Sequence, residues 1–228
     1  MTIIDEPLAD VRDMYAVHAV LRRELGLAAD LVRDVAAGDS ERARVVGDHI
    51  EMMLTVLHTH HGGEDAHLWS RLLERAPKEV APIVHTMESQ HHGIEVVQAE
   101  IGTHLKTWRS SGDAEAGAQL AATLERLTLL LKEHLGLEEE KAVPIMGAYI
   151  TAAEWNAMVA EGGAGLDPEL VPVMFGMLMY EGDPEVVQLA VNNMPPEIGA
   201  VIKDVASQAY ADYAKTIYGT ATPPRIGA

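Results

Sequence analysis

The octapeptide HTHHGGED at residues 58–65 places three histidines and two acids within eight positions, with two glycines between them. Imidazole and carboxylate, without thiolate, are the ligands that suit iron, manganese or zinc. A histidine-rich polar turn would have the same local composition. The two interpretations differ in whether the same residue types recur elsewhere at the spacing that a metal site requires.

Four of the 11 histidines stand at a regular spacing along the chain. His60 follows His18 by 42 residues, and His134 follows His92 by the same interval. Such an internal repeat is expected of a bundle whose two helix pairs are built alike. The repeat favours a metal site over incidental histidines.

The acids repeat with the histidines. Glu64 follows His60 by four residues and Glu138 follows His134 by four, so each pair lies one turn apart on the same helix face. Two carboxylates offered from facing helices can bridge two ions, and ionised groups in a core are costly unless they are paired or bound to metal. The pattern predicts a dinuclear site that suits iron, with manganese possible because the ligand set fits both.

The segments that carry these residues are helical in pattern. Apolar residues recur at intervals of three and four, strong helix formers lie between them, and β-branched alternation is missing. Glycine, proline, serine and aspartate mark the breaks. The long segments are 9–37, 41–75, 83–109 and 119–146.

Four long helices with short connections predict an all-α, up-down-up-down four-helix bundle over residues 9–148. Shorter helices are predicted over 151–218, beginning with a capping box of Thr151 and Glu154 and with proline in the first turns of DPEL at 167, DPEV at 183 and PPEI at 195. Residues 219–228 are expected to form a loose tail.

Composition excludes several classes of function. A formal net charge of −18 argues against nucleic acid or an anionic membrane as a partner. The absence of cysteine excludes disulfides, thiolate metal sites and thiol catalysis. No apolar run approaches the length of a membrane span, and the N-terminus does not read as a signal peptide, so a cytoplasmic protein is the default expectation.

The histidine and glutamate pattern, with HHGGEDAHLW and HLGLEEEKAVPIM as its two ligand segments, resembles the hemerythrin-like, or HHE cation-binding, family over roughly residues 9–148. The stretch from AEWNAMVAEG onward is similar to the C-terminal helical extension of bacterial members. The resemblance implies two non-haem irons bridged by an oxo or hydroxo group. It assigns His18 and His60 to one iron, His92 and His134 to the other, and Glu64 and Glu138 as bridges.

Two departures from the oxygen-carrying members bear on function. Glu88 stands where those proteins have the first histidine of a His-x-x-x-His pair, which makes it a further candidate ligand. The carboxylate after His134 follows by four residues, which selects Glu138, whereas the oxygen carriers' spacing of five would select Glu139. Both departures favour redox chemistry over reversible oxygen carriage.

Neighbouring histidines leave alternatives open. His91 competes with His92 through a Glu88-x-x-His91 pairing of the kind found in ferritin-like di-iron bundles. That pairing needs a second copy, which the sequence lacks, so His92 is preferred. His61 is expected to face solvent, and Gly63 is expected to leave space for a small molecule beside the ions.

These observations predict a di-iron protein that binds or turns over oxygen, hydrogen peroxide or nitric oxide. A role in oxidative-stress defence and a catalase-like activity are the expectations that follow. The rival hypothesis is an iron- or oxygen-sensing or storage module that acts through a partner. The apolar stripe of the C-terminal helices needs cover, which a homodimer would provide.

Overall fold

The computed structural model describes residues 6–165, 167–192, 194 and 196–225. Those residues are almost wholly helical, and their one pairing of extended backbone is an isolated bridge between Leu8 and Thr151. The α-helices are α1 Asp13–Arg33, α2 Ser40–His67, α3 Trp69–Arg75, α4 Ala81–Ser111, α5 Ala114–Leu137, α6 Val143–Tyr149, α7 Ala152–Ala164, α8 Val171–Glu181, α9 Pro184–Asn192 and α10 Pro196–Tyr218.

The predicted all-α fold class is confirmed, and two of the long segments are subdivided. The second breaks at Leu68 into α2 and α3. The fourth passes from α5 through a π-helical turn, Glu138–Ala142, into α6, whose first turn contains Pro144. The predicted metal ligands lie on α1, α2, α4 and α5 and at the start of the π turn.

Of the predicted short helices, α7 and α9 begin where proposed. The side chain of Thr151 accepts from the Glu154 amide and Glu154 reaches back to the Thr151 amide, so the predicted capping box is confirmed. The DPEL motif at residues 167–170 was predicted to begin a helix, but it forms the turn before α8, which starts at Val171. Pro195 of the PPEI motif and residues 226–228 of the predicted tail lie outside the described residues.

The chain forms two compact units. The first comprises residues 1–11, 54–99 and 126–165. Within it, Glu154 accepts hydrogen bonds from Arg71 at 2.9 Å and from Arg75 at 2.6 Å, which ties the start of α7 to α3. On α2, a Cβ added to Gly63 would lie 3.4 Å from Met158 of α7. Gly63 also lines a cavity of about 290 Å³ together with Met158, so there is space beside Gly63. The expectation that this space adjoins the ions stays a prediction.

The second unit comprises residues 12–53, 100–125 and 166–228 and buries an unusual set of charges. Arg23 of α1 has no exposed surface, and its guanidinium meets the carboxylates of Glu24 and, at 2.9 Å, Glu181. It also donates to the hydroxyl of Tyr210 and lies 5.1 Å from the ring centroid of Tyr180. These partners of Arg23 come from α1, α8 and α10.

His49 of α2 extends the same buried cluster. Its Nδ1 lies 2.9 Å from the hydroxyl of Tyr213, and its Nε2 lies 3.3 Å from a carboxylate oxygen of Glu24. Tyr218 donates to that carboxylate as well. Burial, followed by the positive charge of Arg23, lowers the pKa of His49 from 6.5 to about 3, so its imidazole is neutral.

Among the described residues, no helix combines the length and the apolar character needed to cross a lipid bilayer. This agrees with the sequence, which contains no apolar run of that length.

Candidate metal centre

Helix α2 supplies the candidate centre with two parallel rows of side chains. His60 and Glu64 are four residues apart, and so are His61 and Asp65 one position further along, so each pair lies along one side of the helix. His61, expected to face solvent, is only 5% exposed. The octapeptide at residues 58–65 therefore contains two interleaved His-x-x-x-acid pairs, of which only His60 with Glu64 was predicted to bind metal.

Helix α4 contributes His91 rather than His92. His91 is 5% exposed, and its Nε2 lies 3.3 Å from a Glu64 carboxylate oxygen and 3.2 Å from Nε2 of His134. His92 is exposed and belongs to neither histidine-containing group of candidate ligands. The preference for His92 rests on the lack of a second Glu-x-x-His pair and on the 42-residue interval to His134. Adjacent helical residues point about 100° apart, however, and here it is His91 that faces inward.

Two groups of candidate ligand atoms form inside the first unit. Three imidazoles offer nitrogens within 4.8 Å of one another in the first group, and His60 joins two carboxylates within the same limit in the second. The first group is His61, His91 and His134; the second is His60, Glu64 and Glu138.

Glu64 faces both groups with different oxygens. Its Oε1 lies 3.4 Å from Nε2 of His60, and its Oε2 lies 3.3 Å from Nε2 of His91. The carboxylate has no exposed surface, and burial raises its pKa to about 8. A carboxylate held between two sets of imidazole nitrogens, away from water, is suited to bridging two cations.

The partners of the outer ring nitrogens orient two of the imidazoles. Nδ1 of His91 lies 2.7 Å from Oδ1 of Asp65, and Nδ1 of His134 lies 3.1 Å from Oε1 of Gln90. Both partners are acceptors, so each Nδ1 carries the proton and each Nε2 is left with its lone pair. Two Nε2 lone pairs that face each other at 3.2 Å repel unless one ring takes a second proton and donates to the other, or a metal cation lies between them.

Asp65 is in turn held in place by a hydrogen bond from Trp69 of α3. The indole Nε1–H of Trp69 donates to its Oδ1 at 2.7 Å. Burial acts to raise the pKa of Asp65, but the hydrogen bonds from His91 and Trp69 outweigh it and leave the pKa below its ordinary value. Asp65 is therefore an anion at neutral pH, and it increases the electron density on the imidazole to which it is bonded.

The remaining predicted ligands are placed as follows. His18 is fully buried on α1, in the second unit. Glu88 is exposed and its carboxylate lies 3.1 Å from Nδ1 of the exposed His85, so the structure does not bring it to either histidine group. Glu138 is fully buried with an oxygen 3.5 Å from Nε2 of His134, whereas Glu139 is only partly buried and lies outside both groups.

Comparison with known families decides what kind of helical protein this is. The model of the hemerythrin HHE cation-binding domain matches residues 9–146, well over half of the chain. The chain belongs to the hemerythrin HHE cation-binding family. Its helices α1 to α6 form the hemerythrin-like bundle, and α7 to α10 are additional C-terminal helices. No curated protein and no solved structure matches the chain.

Family membership makes this a helical, metal-binding protein, and the donor set fits such a role. The imidazole nitrogens and carboxylate oxygens of the two groups suit iron, manganese or zinc, and a set so rich in nitrogen does not suit magnesium or calcium. The two outer acceptors, Asp65 and Gln90, complete the arrangement expected around metal-binding histidines.

Proposed function

We propose that the chain is a non-haem di-iron protein of the hemerythrin type that binds or turns over a small oxidant: oxygen, hydrogen peroxide or nitric oxide. The observation that carries this proposal is the position of Glu64, which presents one oxygen to His60 and the other to His91. A single cation would not need a carboxylate shared between two imidazole sets.

The proposed ligand set differs from the predicted one at helix α4. One ion would be held by His60, Glu64 and Glu138, and the other by His61, His91 and His134, with the same two carboxylates in common. His18 stays a ligand that the resemblance to the family predicts. Glu88 and His92 are left out because both are exposed.

Bound iron would supply reversible one-electron chemistry and an acceptor for small oxygen or nitrogen ligands. The protein's own residues bind and orient. Asp65 and Gln90 hold the protons of His91 and His134 on Nδ1, so that both Nε2 atoms stay available. The burial of Glu64 and Glu138 keeps water away from the carboxylates.

The proposal is tested by metal content and the visible spectrum of the purified protein, with His91→Ala and His92→Ala as a matched pair. We expect about two irons per chain in the wild type. His91→Ala should lose a large part of this iron and its ferric absorption bands, whereas His92→Ala should retain both. A wild-type protein that holds no metal after anaerobic ferrous loading would contradict the proposal.

Turnover is tested separately from binding. If the centre disproportionates hydrogen peroxide, the iron-loaded protein should release oxygen and His134→Ala should abolish that release. An iron-loaded wild type that leaves peroxide untouched and yet changes its spectrum with nitric oxide or oxygen would indicate a binding or sensing role instead.

A further inference from the structure

A groove between α2 and α4 opens onto the histidine group. Its volume is about 150 Å³, and its inner wall includes His61 and His91, each 5% exposed. Gly62 lies along the same wall, and the exposed side chains of Glu88 and Glu95 line the rim. The groove thus joins solvent to two of the proposed ligands.

We propose that this groove is the route by which a small, uncharged oxidant reaches the iron pair, and that the carboxylates along it discriminate against anions. The proposal rests on the proposed function, since it names the class of molecule that the centre admits.

The size of the groove limits what can pass. A volume of about 150 Å³ holds several water-sized molecules but is smaller than the roughly 300–1,000 Å³ of pockets that bind drug-sized ligands. Oxygen, nitric oxide and hydrogen peroxide fit, whereas a nucleotide or a sugar does not.

The charges around the groove further restrict which small molecules can pass through it. Asp65, Glu88 and Glu95 place three carboxylates around the groove, and the chain as a whole has a formal charge of −18. Like charges lining a cleft lower the local concentration of ions of the same sign and slow their association, in a manner that depends on salt. A neutral oxidant is unaffected by this barrier, while azide or another small anion must cross it.

Gly62 offers a way to narrow the groove without disturbing the helix. A Cβ at Gly62 would meet no atom within 4 Å. Gly136 of α5 is a matched control, because its Cβ would be equally free and it does not line the groove. Both positions are helical, so a leucine is compatible with the backbone at each.

The first experiment compares Gly62→Leu with Gly136→Leu in protein loaded with ferrous iron and then oxidised. Iron content is measured first, because a wild type without iron refutes the proposed function and not the route. Stopped-flow absorbance then gives the association and dissociation rates of azide and the rate of the spectral change caused by hydrogen peroxide.

Gly62→Leu should slow the association of azide and the reaction of peroxide by tenfold or more. Azide dissociation should slow by the same factor, so that the Kd stays unchanged. This is expected when a substitution obstructs the access groove and leaves the binding site itself unaltered. Gly136→Leu should behave as the wild type does. Wild-type rates in an iron-loaded Gly62→Leu protein, or an azide Kd that changes through the dissociation rate alone, would overturn the proposal.

The second experiment tests the discrimination by charge. Glu88→Gln with Glu95→Gln should raise the ratio of the azide rate to the peroxide rate several-fold at low salt and weaken the salt dependence of the azide rate. Glu41→Gln with Glu115→Gln serves as the control, because these two exposed acids do not line the groove. It should leave the ratio of the azide rate to the peroxide rate unchanged. An unchanged ratio in the groove variant would show that its carboxylates do not select against anions.

Discussion

At the residue scale, the candidate centre depends on side chains that do not themselves face the ions. Asp65 accepts from His91 and from Trp69, and Gln90 accepts from His134. Without such partners an imidazole can rotate or change tautomer, and part of the free energy of metal binding is then spent on ordering it. Asp65 belongs to the second row of α2 and is as much a part of the proposed centre as Glu64.

We expect Asp65→Ala to weaken metal binding by about 10–100-fold, because the proton on Nδ1 of His91 loses its acceptor. Asp65→Asn, which keeps a carbonyl oxygen, should recover part of the loss. Competition with a chromophoric chelator measures the affinity. Glu88→Ala serves as the control and should bind metal as the wild type does; equal weakening in Asp65→Ala and Glu88→Ala would contradict this role for Asp65.

At the scale of elements, the C-terminal helices pack more closely than side chains normally permit. Helix α8 meets α10 at Gly176, where an added Cβ would lie 2.3 Å from the carbonyl oxygen of Ala206 and 2.4 Å from Cβ of Tyr210. Neither neighbour is the flexible end of a side chain, so the helices would have to separate to admit a methyl group. Only glycine at residue 176 is compatible with this contact.

Gly176→Ala should therefore lower the free energy of unfolding by about 1–3 kcal/mol, the usual cost of overpacking. Gly136→Ala, at a helical position with open space, should raise it by up to about 1 kcal/mol. Urea unfolding of the metal-free proteins, followed by circular dichroism, measures both. A Gly176→Ala protein as stable as the wild type would show that α8 and α10 are farther apart.

At the scale of the whole molecule, the additional helices complete a buried core that the family domain begins. The cluster around Arg23 joins residues of α1 and α2 to residues of α8 and α10, all within the second unit. Removing one partner of a buried ion pair typically costs about 3–5 kcal/mol, because the other charge stays buried without compensation. The family domain and its extension are thus one folding unit in this part of the chain.

A chain that ends after residue 150 should consequently fail to fold, since Arg23 and Glu24 would lose Tyr210, Tyr218 and Glu181 together. Circular dichroism and limited proteolysis of that fragment test the expectation. Cooperative unfolding with intact iron binding would contradict it, and would make truncation a usable test of a sensing role for the extension.

The neutral state of His49 predicts a dependence of stability on pH. Its pKa is about 3 in the folded chain and about 6.5 when unfolded, so the unfolded state binds the extra proton and stability falls as pH decreases below about 6.5. The loss approaches about 1.4 kcal/mol per pH unit. Burial raises the pKa of Glu24, which has the opposite effect at pH values between the ordinary range of a carboxyl group and the raised pKa. Because Glu24 is present in both proteins compared below, its contribution cancels.

Urea unfolding of the metal-free protein between about pH 7 and pH 5 should therefore show a shallower pH dependence in His49→Gln than in the wild type, by roughly one proton. Because the other histidines are the same in both proteins, their contributions to the pH dependence of the free energy of unfolding cancel in this comparison. Identical slopes in the two proteins would mean that His49 is protonated in the folded chain.

Helical periodicity and turn residues are sufficient to predict the fold class, the capping box at Thr151 and the shared helix face of His60 with Glu64 and of His134 with Glu138, because these depend on local sequence. The inward-facing histidine of α4 could not be chosen by counting residues, since His91 and His92 are adjacent and the helix phase depends on packing against α2. The Asp65–His91 contact is long-range, but the second His-x-x-x-acid row on α2 was visible and identifies His61 and Asp65. The buried cluster around Arg23 joins residues nearly 200 positions apart and has no sequence signature.

The π-helical turn at Glu138–Ala142 has a consequence for reading related sequences. A π turn accommodates one more residue than an α turn, so it is the trace of an insertion within a helix. Relatives that lack the extra residue will be out of step with this chain from here onward. If a sequence alignment places the gap on the wrong side of Glu138, it pairs Glu139 with the carboxylate ligand of those relatives. The apparent spacing of four or five residues between histidine and carboxylate would then reflect the position of the gap and not a difference in the metal ligands.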